Sequence, residues 1–335
     1  MKASSQHRLP DGRWKWEEIV FWLLPIVGYF VAQNYLLLGS QIFIVGLFAL
    51  SLDLILGYAG IVSLGHAAFF GVGAYTAGLL ASHGWSEPLS GLLAGGVVAA
   101  FAGLIASFLV VRGRDLTQLM VTLGIGLMLF EAANKAAFIT GGVDGLSGMV
   151  VGKVLGIFEF DLYGKVAYLY SLAVLFVVFL VVRRTVYSPF GLGLRGLHNG
   201  PKRMPAIGAA VYRRQVAVFT VGAGVAGIAG ALLAQTTQFV GLDSLSFHRS
   251  AELMIMLVLG GTGRLYGGLV GAAIFMVAQN YLADLNPIYW QFWLGLLLVL
   301  VVMFARGGVL GGMASLRARL KGARSEEHTS ELQSQ

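Results

Sequence analysis

Long apolar runs separated by short polar stretches dominate the chain. A helix needs about 20 mostly apolar residues to cross a bilayer, and runs of this kind recur about ten times. The pattern predicts an all-α polytopic membrane protein with about ten transmembrane helices. The predicted spans lie at about 19–38, 40–57, 61–82, 89–111, 116–138, 163–182, 215–235, 250–261, 265–283 and 289–305.

Two of these spans are atypical. The third contains many glycines, and the eighth is short for a full crossing. We expect either one to be broken or re-entrant, which a membrane protein tolerates where protein or a cavity covers the backbone.

Small residues recur four positions apart within several spans. Helices gain little hydrophobic energy from association in lipid, so close backbone approach has to supply the packing. The pattern therefore predicts a tight bundle rather than loosely associated anchors. The clearest series are Gly91/Gly95/Ala99/Gly103, Gly222/Ala226/Gly230 and Gly267/Gly271.

The composition agrees with a membrane protein and excludes several kinds of site. Of the 335 residues, 57% are hydrophobic and 12% charged, against about 25% charged in soluble domains. Cysteine is absent, which excludes a disulfide framework, a thiolate metal site and a catalytic cysteine. The sequence has no Walker A motif, no His-Glu-x-x-His pair and no Gly-x-Ser-x-Gly elbow. We therefore expect a transport subunit that is not an enzyme and needs no cofactor or metal.

The positive charge is distributed asymmetrically. With the N-terminus inside, 19 of the 23 Lys and Arg residues fall on the inner side. This asymmetry predicts that both chain ends are cytoplasmic, and it accounts for the net charge of +7 without nucleic acid. The outer residues are Lys135, Lys153, Lys165 and Arg249.

Three regions follow from this topology. Residues 1–18 form a cytoplasmic tail, which leads into an uncleaved first span because no small-residue cleavage site follows. Residues 19–312 form the transmembrane domain, with a long cytoplasmic loop at 183–214. Residues 313–335 form a basic tail, within which 324–335 turns polar and acidic and resembles a translated sequencing adapter. We expect the native C-terminus to differ from about Ala323 onward.

Several ionisable residues lie within predicted spans, where each costs about 2.5–3.5 kcal/mol at mid-helix. Glu131 and Lys135 are four apart, so they form either an ion pair on one helix face or part of a proton relay. Asp53 either bonds a neighbouring helix or lines a path. His66 is either a hydrogen-bonded packing residue or a substrate contact, and Asn134 can join helices by hydrogen bonds.

One loop is unusually long and basic. The stretch "GLRGLHNGPKRMPAIGAAVYRRQ" at 193–215 holds five Lys and Arg residues, two prolines and no acid. From the residues alone, two interpretations are open. The positive charge of the loop serves only to set the membrane topology, or the loop docks a partner protein.

Three stretches of the chain resemble a known family. They are "FALSLDLILGYAGIVSLGHAAFFGVGAYTAGLLAS" at 48–82, "TGGVDGLSGM" at 140–149 and "GGTGRLYGGLVGAA" at 260–273. In this combination the chain resembles the LivM-type permeases of branched-chain amino acid ABC importers, from about residue 19 to 312.

The resemblance implies an assembly in the bacterial inner membrane. This chain would be one half of a heterodimeric permease, with a second permease subunit, two cytoplasmic ATPase subunits and an external substrate-binding protein. It would form a translocation path for branched-chain amino acids, surrounded by membrane lipid. Candidate path residues are Asp53, Ser63, His66, Tyr75, Glu131 and Asn134.

The resemblance also gives the basic loop a role. ABC-importer permeases carry a cytoplasmic coupling helix that docks on the ATPase, and Gly191, Arg195 and the Ile207-Gly208 pair match its family pattern. We expect Pro201 to start a short helix that Pro205 and Gly208 end. Where many relatives carry an acid before this helix, this chain has "HNGP". The candidate docking residues are Gly200, Pro201, Lys202, Arg203, Met204, Ile207 and Gly208.

Other functions remain open at this point. Urea-importer permeases look very similar, so urea or another amide is an alternative substrate. A proton-coupled secondary transporter would use Asp53, His66 or Glu131 as a relay. A structural membrane scaffold is a third alternative.

Overall fold

The computed structural model describes residues 16–113, 116–154, 156, 158–161, 163–201, 203–304 and 308–312. These residues form helices and no β-sheet, apart from isolated bridges between 146 and 240 and between 154 and 158. The helices are α1 (Trp16–Val31), α2 (Leu36–Asp53), α3 (Ala67–Ser82), α4 (Pro88–Val110), α5 (Leu116–Lys135), α6 (Ala137–Thr140), α7 (Lys165–Val186), α8 (Pro189–Asn199), α9 (Val211–Thr237), α10 (Phe247–Gly260), α11 (Gly267–Leu285) and α12 (Trp290–Phe304).

The all-α prediction is confirmed for the described residues, and a helix occupies each predicted span with shifted ends. Among these residues, six helical segments are long and apolar enough to cross a membrane. Helices α1 and α3 are shorter apolar helices. The number of about ten crossings and the cytoplasmic position of both ends stay predictions. The six segments are Gln33–Tyr58, Pro88–Val110, Leu116–Lys135, Lys165–Val186, Val211–Thr237 and Gly267–Leu285.

The third and eighth spans are irregular, as expected. Helix α2 continues into a π-helical turn at Leu54–Tyr58, and residues 60–66 then run without regular helical structure to the start of α3. We call residues 60–66 the broken segment. Helix α10 has 14 residues, so it is about 21 Å long and shorter than a hydrocarbon core of about 30 Å.

The centre of the bundle is built on contacts between glycines of α3, α4 and α9. A Cβ atom built at Gly73 of α3 would collide with the backbone of Gly227 in α9, and one at Gly230 would collide with the carbonyl of Phe70. Gly95 of α4 approaches the carbonyl of Gly73 in the same way. The predicted close backbone approach is therefore confirmed for these three helices.

The contacts define two ends of the bundle. Gly193 of α8 faces Arg214 at the start of α9, and the turn between α10 and α11 bonds to Asp53 at the end of α2. We call this the α8 end. The opposite end holds the start of α2, the end of α9 and the end of α11. A buried ion pair of 2.9 Å, between Glu18 of α1 and Arg183 of α7, joins two more helices at the α8 end.

We expect Gly230→Ala to lower the melting temperature of the detergent-solubilised chain, because the added methyl group would contact the Phe70 carbonyl. Overpacking of this kind costs about 1–3 kcal/mol. Gly124→Ala in α5 is the matched control, since a Cβ atom there meets no described atom within 4 Å. Alanine favours a helix over glycine by about 1 kcal/mol, so the control should melt at or above the parent temperature. Equal melting temperatures for the two variants would contradict the packing argument.

Candidate functional site

The broken segment is held by side chains from two other helices. The Leu64 N–H donates to Thr122 Oγ1 of α5 at 3.2 Å, and the Ala67 N–H donates to Ser250 Oγ of α10 at 2.9 Å. Non-helical backbone within an apolar bundle needs such internal partners, because an unpaired amide there costs several kcal/mol. Gly65 allows the approach, since a side chain at that position would collide with the Thr122 carbonyl. The segment is thereby fixed to α5, and the start of α3 that follows it is fixed to α10.

His66 lies fully buried at the end of the broken segment. Its Nε2 is 2.8 Å from Ser51 Oγ, whose hydroxyl is 2.6 Å from the carbonyl of Phe48. A serine hydroxyl has one proton, and Ser51 donates it to the Phe48 carbonyl. Nε2 of His66 must therefore carry a hydrogen and donate it to Ser51 Oγ. The imidazole also stacks on the Phe48 ring at 5.7 Å. This geometry favours the packing interpretation of His66, and substrate contact stays a prediction.

Asp53 is fully buried and forms a bond between distant parts of the chain. Its Oδ1 accepts a hydrogen bond of 2.7 Å from the Gly263 N–H in the turn between α10 and α11. A side chain at Gly57 would collide with both groups, so the glycine makes this contact sterically possible. Asp53 therefore bonds to the turn between two helices rather than to a neighbouring helix itself, and its position along a path stays a prediction.

Ser63 and Tyr75 are buried on either side of the start of α3. Within the described part of the chain, neither side-chain oxygen has a hydrogen-bond partner. Tyr75 packs in an apolar cluster that includes Met149 and Leu245. These two hydroxyls are therefore polar groups within an apolar interior.

Glu131 and Asn134 occupy a different environment. Glu131 pairs with Lys135 at 3.6 Å, with both side chains more than half exposed, and Asn134 Nδ2 donates to Glu131 at 3.4 Å. The predicted ion pair is confirmed. These residues lie at the end of α5 away from α8, so the six predicted path residues do not form one cluster.

Helix α8 precedes the stretch in which the sequence predicts a coupling helix. Ser188 is its N-cap, accepting from the Gly191 N–H at 3.5 Å, and Pro189 occupies the first turn. The predicted helix start at Pro201 is wrong: α8 ends at Asn199, and a 3₁₀ turn begins at Pro205. The reason is that Pro201 lies directly after the C-cap of α8, where proline stops a helix.

Other expectations for this loop are confirmed or lie outside the described residues. Gly208 ends the 3₁₀ turn with φ +76°, as expected from its position. Arg203 is exposed, while Met204 is half-buried with its sulfur beside Gly196 of α8. Lys202 and the side chain of Ile207 fall outside the described residues, as do the tails at 1–15 and 313–335.

Helix α8 contacts the region around the broken segment directly. The Arg195 guanidinium lies over the rings of Tyr58, at 5.3 Å, and Tyr187, at 5.7 Å. The His198 ring packs against the backbone of Gly60. Tyr58 and Gly60 belong to the stretch at 48–82 quoted above, but nothing in that stretch indicates a contact with α8. These contacts place α8 against the start of the broken segment.

Two cavities lie at the opposite end, between α2 and α11. They measure about 430 and 420 Å³ and share Leu38 and Asn280 in their walls. Sequence reasoning missed both, because their walls combine residues from distant parts of the chain. Among the described residues, Arg249 is the only ionised side chain in the wall of the larger one.

Comparisons with known proteins give a consistent result. The family model described as "Branched-chain amino acid transport system / permease component" matches residues 34–302. The high-affinity branched-chain amino acid transport system permease protein LivM of Salmonella typhimurium is 28% identical over 303 residues, covering 84% of this chain and 71% of that protein. Its namesake in Escherichia coli is 29% identical over 282 residues, covering 78% and 66%. No solved structure gives a significant match.

The Asp53 bond leads to a prediction with two variants of similar size. Asp53→Leu removes the acceptor of the Gly263 N–H, a hydrogen bond that contributes about 0.5–1.5 kcal/mol, whereas Asp53→Asn keeps an acceptor oxygen. We expect the melting temperature of the leucine variant to fall and that of the asparagine variant to stay near the parent. Substrate uptake should also survive in Asp53→Asn. Loss of uptake by a stably folded Asp53→Asn would contradict this role and favour a proton relay.

Proposed function

The chain belongs to the family of permease components of branched-chain amino acid transport systems, and from this premise we propose that it is the membrane-spanning subunit of an ABC importer for these amino acids. The observation that carries the proposal is the family match over 34–302, which spans α2 to α12. The apolar helices support a multi-pass membrane protein. The bacterial relatives support a place in the inner membrane.

Within the assembly, this chain contributes part of the translocation path and the element that receives movement from the ATPase. A second permease subunit completes the heterodimer, two cytoplasmic ATPase subunits supply the energy, and an external binding protein delivers the substrate. The absence of a Walker A motif from the sequence supports ATP binding by other subunits.

Helix α8 and the exposed turn at 200–208 are the proposed coupling element. ATPase movement would displace α8, and the Arg195–Tyr58 and His198–Gly60 contacts would pass the displacement to the broken segment. That segment and the start of α3 are bonded to α5 and α10, so a shift there would change how these helices meet. Because the broken segment is packed and hydrogen-bonded, these contacts support a concerted shift of the helices rather than local bending of the segment.

The candidate path residues divide into two groups. Ser63 and His66 lie on the broken segment and Tyr75 lies within α3, the helix that follows it, so coupling would move them together. Glu131 and Asn134 lie at the far end of α5, near where substrate would enter. Asp53 holds the α10–α11 turn, so we assign it to the frame of the path rather than to its surface.

The geometry gives little support to a proton-coupled transporter. In the described part of the chain, Asp53 bonds to a backbone amide, His66 to Ser51, and Glu131 to Lys135, so no two of the three are joined in a relay. A relay needs groups that can pass a proton from one to the next.

Reversing a charge at the proposed docking turn tests the coupling element. We expect Arg203→Glu to weaken association with the ATPase about tenfold, which corresponds to about 1.4 kcal/mol, because it turns an exposed basic contact acidic. Lys165→Glu, an exposed change at the opposite end, is the matched control and should leave association unchanged. The measurement is co-purification from the same membranes. Equal ATPase recovery with both variants would remove the docking assignment.

Uptake in cells tests the substrate and the energy source together. Cells lacking their own leucine importers would receive this chain and its neighbouring genes, and then labelled leucine. We expect leucine uptake to continue when a protonophore is added and ATP is maintained. Unlabelled valine and isoleucine should reduce this uptake, and urea should leave it unchanged. Uptake abolished by the protonophore would support the secondary transporter instead. Competition by urea alone would support a urea importer.

A further inference from the structure

The larger cavity at the opposite end has the composition of a ligand site. Its volume is about 430 Å³, and residues of α2, α9, α10, α11 and α12 form its wall. We call it the Arg249 pocket. Small-molecule sites typically measure about 300–1,000 Å³ and combine apolar walls with a few polar groups. This pocket lies away from α8, at the end that would face the external binding protein.

One basic and several amide groups converge on the Arg249 pocket. Arg249 stands in the first turn of α10, where its Nη1 is 3.2 Å from Glu252 and its Nη2 is 4.0 Å from Asp243. A guanidinium has five N–H donors, so these two contacts leave donors for a further acceptor. Gln41 of α2 and Gln279 of α11 bring amide groups, each with an oxygen that accepts and a nitrogen that donates.

The rest of the wall is apolar. Leu38 and Met276 are both half-buried and belong to helices α2 and α11, which also carry Gln41 and Gln279. An apolar surface beside a guanidinium is uncommon in a membrane bundle unless the charge has a function. The two kinds of surface together fit a molecule with an anionic group at one end and an alkyl group at the other.

We propose that the Arg249 pocket binds the substrate amino acid on entry, with its carboxylate on Arg249 and its branched side chain against Leu38 and Met276. Resting on the proposed import function, this assigns the residues that recognise the substrate. The ammonium group is held by amide oxygens of Gln41 and Gln279. Urea has neither a carboxylate for the guanidinium nor an alkyl group for the apolar wall, so the pocket selects against it.

The position of Arg249 also connects the pocket to the moving parts. The next residue, Ser250, accepts the Ala67 N–H at the start of α3, immediately after the broken segment. A substrate that draws Arg249 toward the pocket therefore acts on the helix turn that fixes α3. Substrate binding at this end and ATPase coupling at the α8 end would therefore both act on the broken segment and the start of α3.

Site-specific labelling tests the pocket in the assembled complex. The chain has no cysteine, so Ala283→Cys in the pocket wall becomes its sole thiol. In vesicles holding the permease, ATPases and binding protein, an external, membrane-impermeant maleimide should label it more slowly when L-leucine is added. Leu285→Cys, exposed on the same helix outside the pocket, is the control and should label at one rate throughout.

Removing the guanidinium tests how the pocket recognises the carboxylate. Adding Arg249→Gln to Ala283→Cys should raise the leucine concentration for half-maximal protection at least tenfold, whereas Lys165→Gln should not change it. We expect 3-methylbutylamine, which is leucine without its carboxylate, to protect poorly, and urea not at all. Equal protection by leucine and the amine, or none by leucine in a complex that imports it, would overturn the pocket. A complex that assembles without importing leucine would instead refute the proposed function.

Discussion

The structure depends on one constraint: backbone that is not helical inside an apolar bundle must find its hydrogen bonds within the protein. The broken segment at 60–66 and the first residue of α3 meet it through Thr122 of α5 and Ser250 of α10. Asp53, itself buried, accepts a hydrogen bond from Gly263 in the exposed part of the α10–α11 turn. Each bond joins helices far apart in the sequence, so satisfying the backbone also fixes how the helices assemble. The close glycine contacts of α3, α4 and α9 then hold this arrangement in place.

The same bonds connect the two ends of the molecule. At one end, α8 touches the region of the broken segment through Arg195 and His198. At the other end, Arg249 of the pocket directly precedes Ser250, which holds the start of α3. In the proposed importer, this subunit has to relate substrate outside to ATPase movement inside, and the shared, irregular segment would relate them with few contacts. A continuous helix at 60–66 would offer no amides for such bonds, because its own turns would use them.

The sequence predicted the elements well and their long-range contacts poorly, for identifiable reasons. Span length and hydropathy depend on local composition, so every predicted span contains a helix. The helix start at Pro201 failed because proline fits both the first turn of one helix and the position just after another. The Ser188-Pro189 pair was the available signal for α8. The Asp53–Gly263 bond and the Arg249 pocket join residues about 200 positions apart, and no local pattern encodes such a pairing.

The central claim is that the two ends of this bundle have different roles, with energy delivered at the α8 end and substrate received at the other. The most direct measurement is leucine uptake by vesicles holding purified complex in one orientation, with ATP placed on either side in turn. The account predicts uptake only when ATP is on the side of α8 and leucine with its binding protein is on the opposite side, and none from complexes lacking this chain. Uptake without ATP, or with ATP and leucine both on the side away from α8, would contradict it.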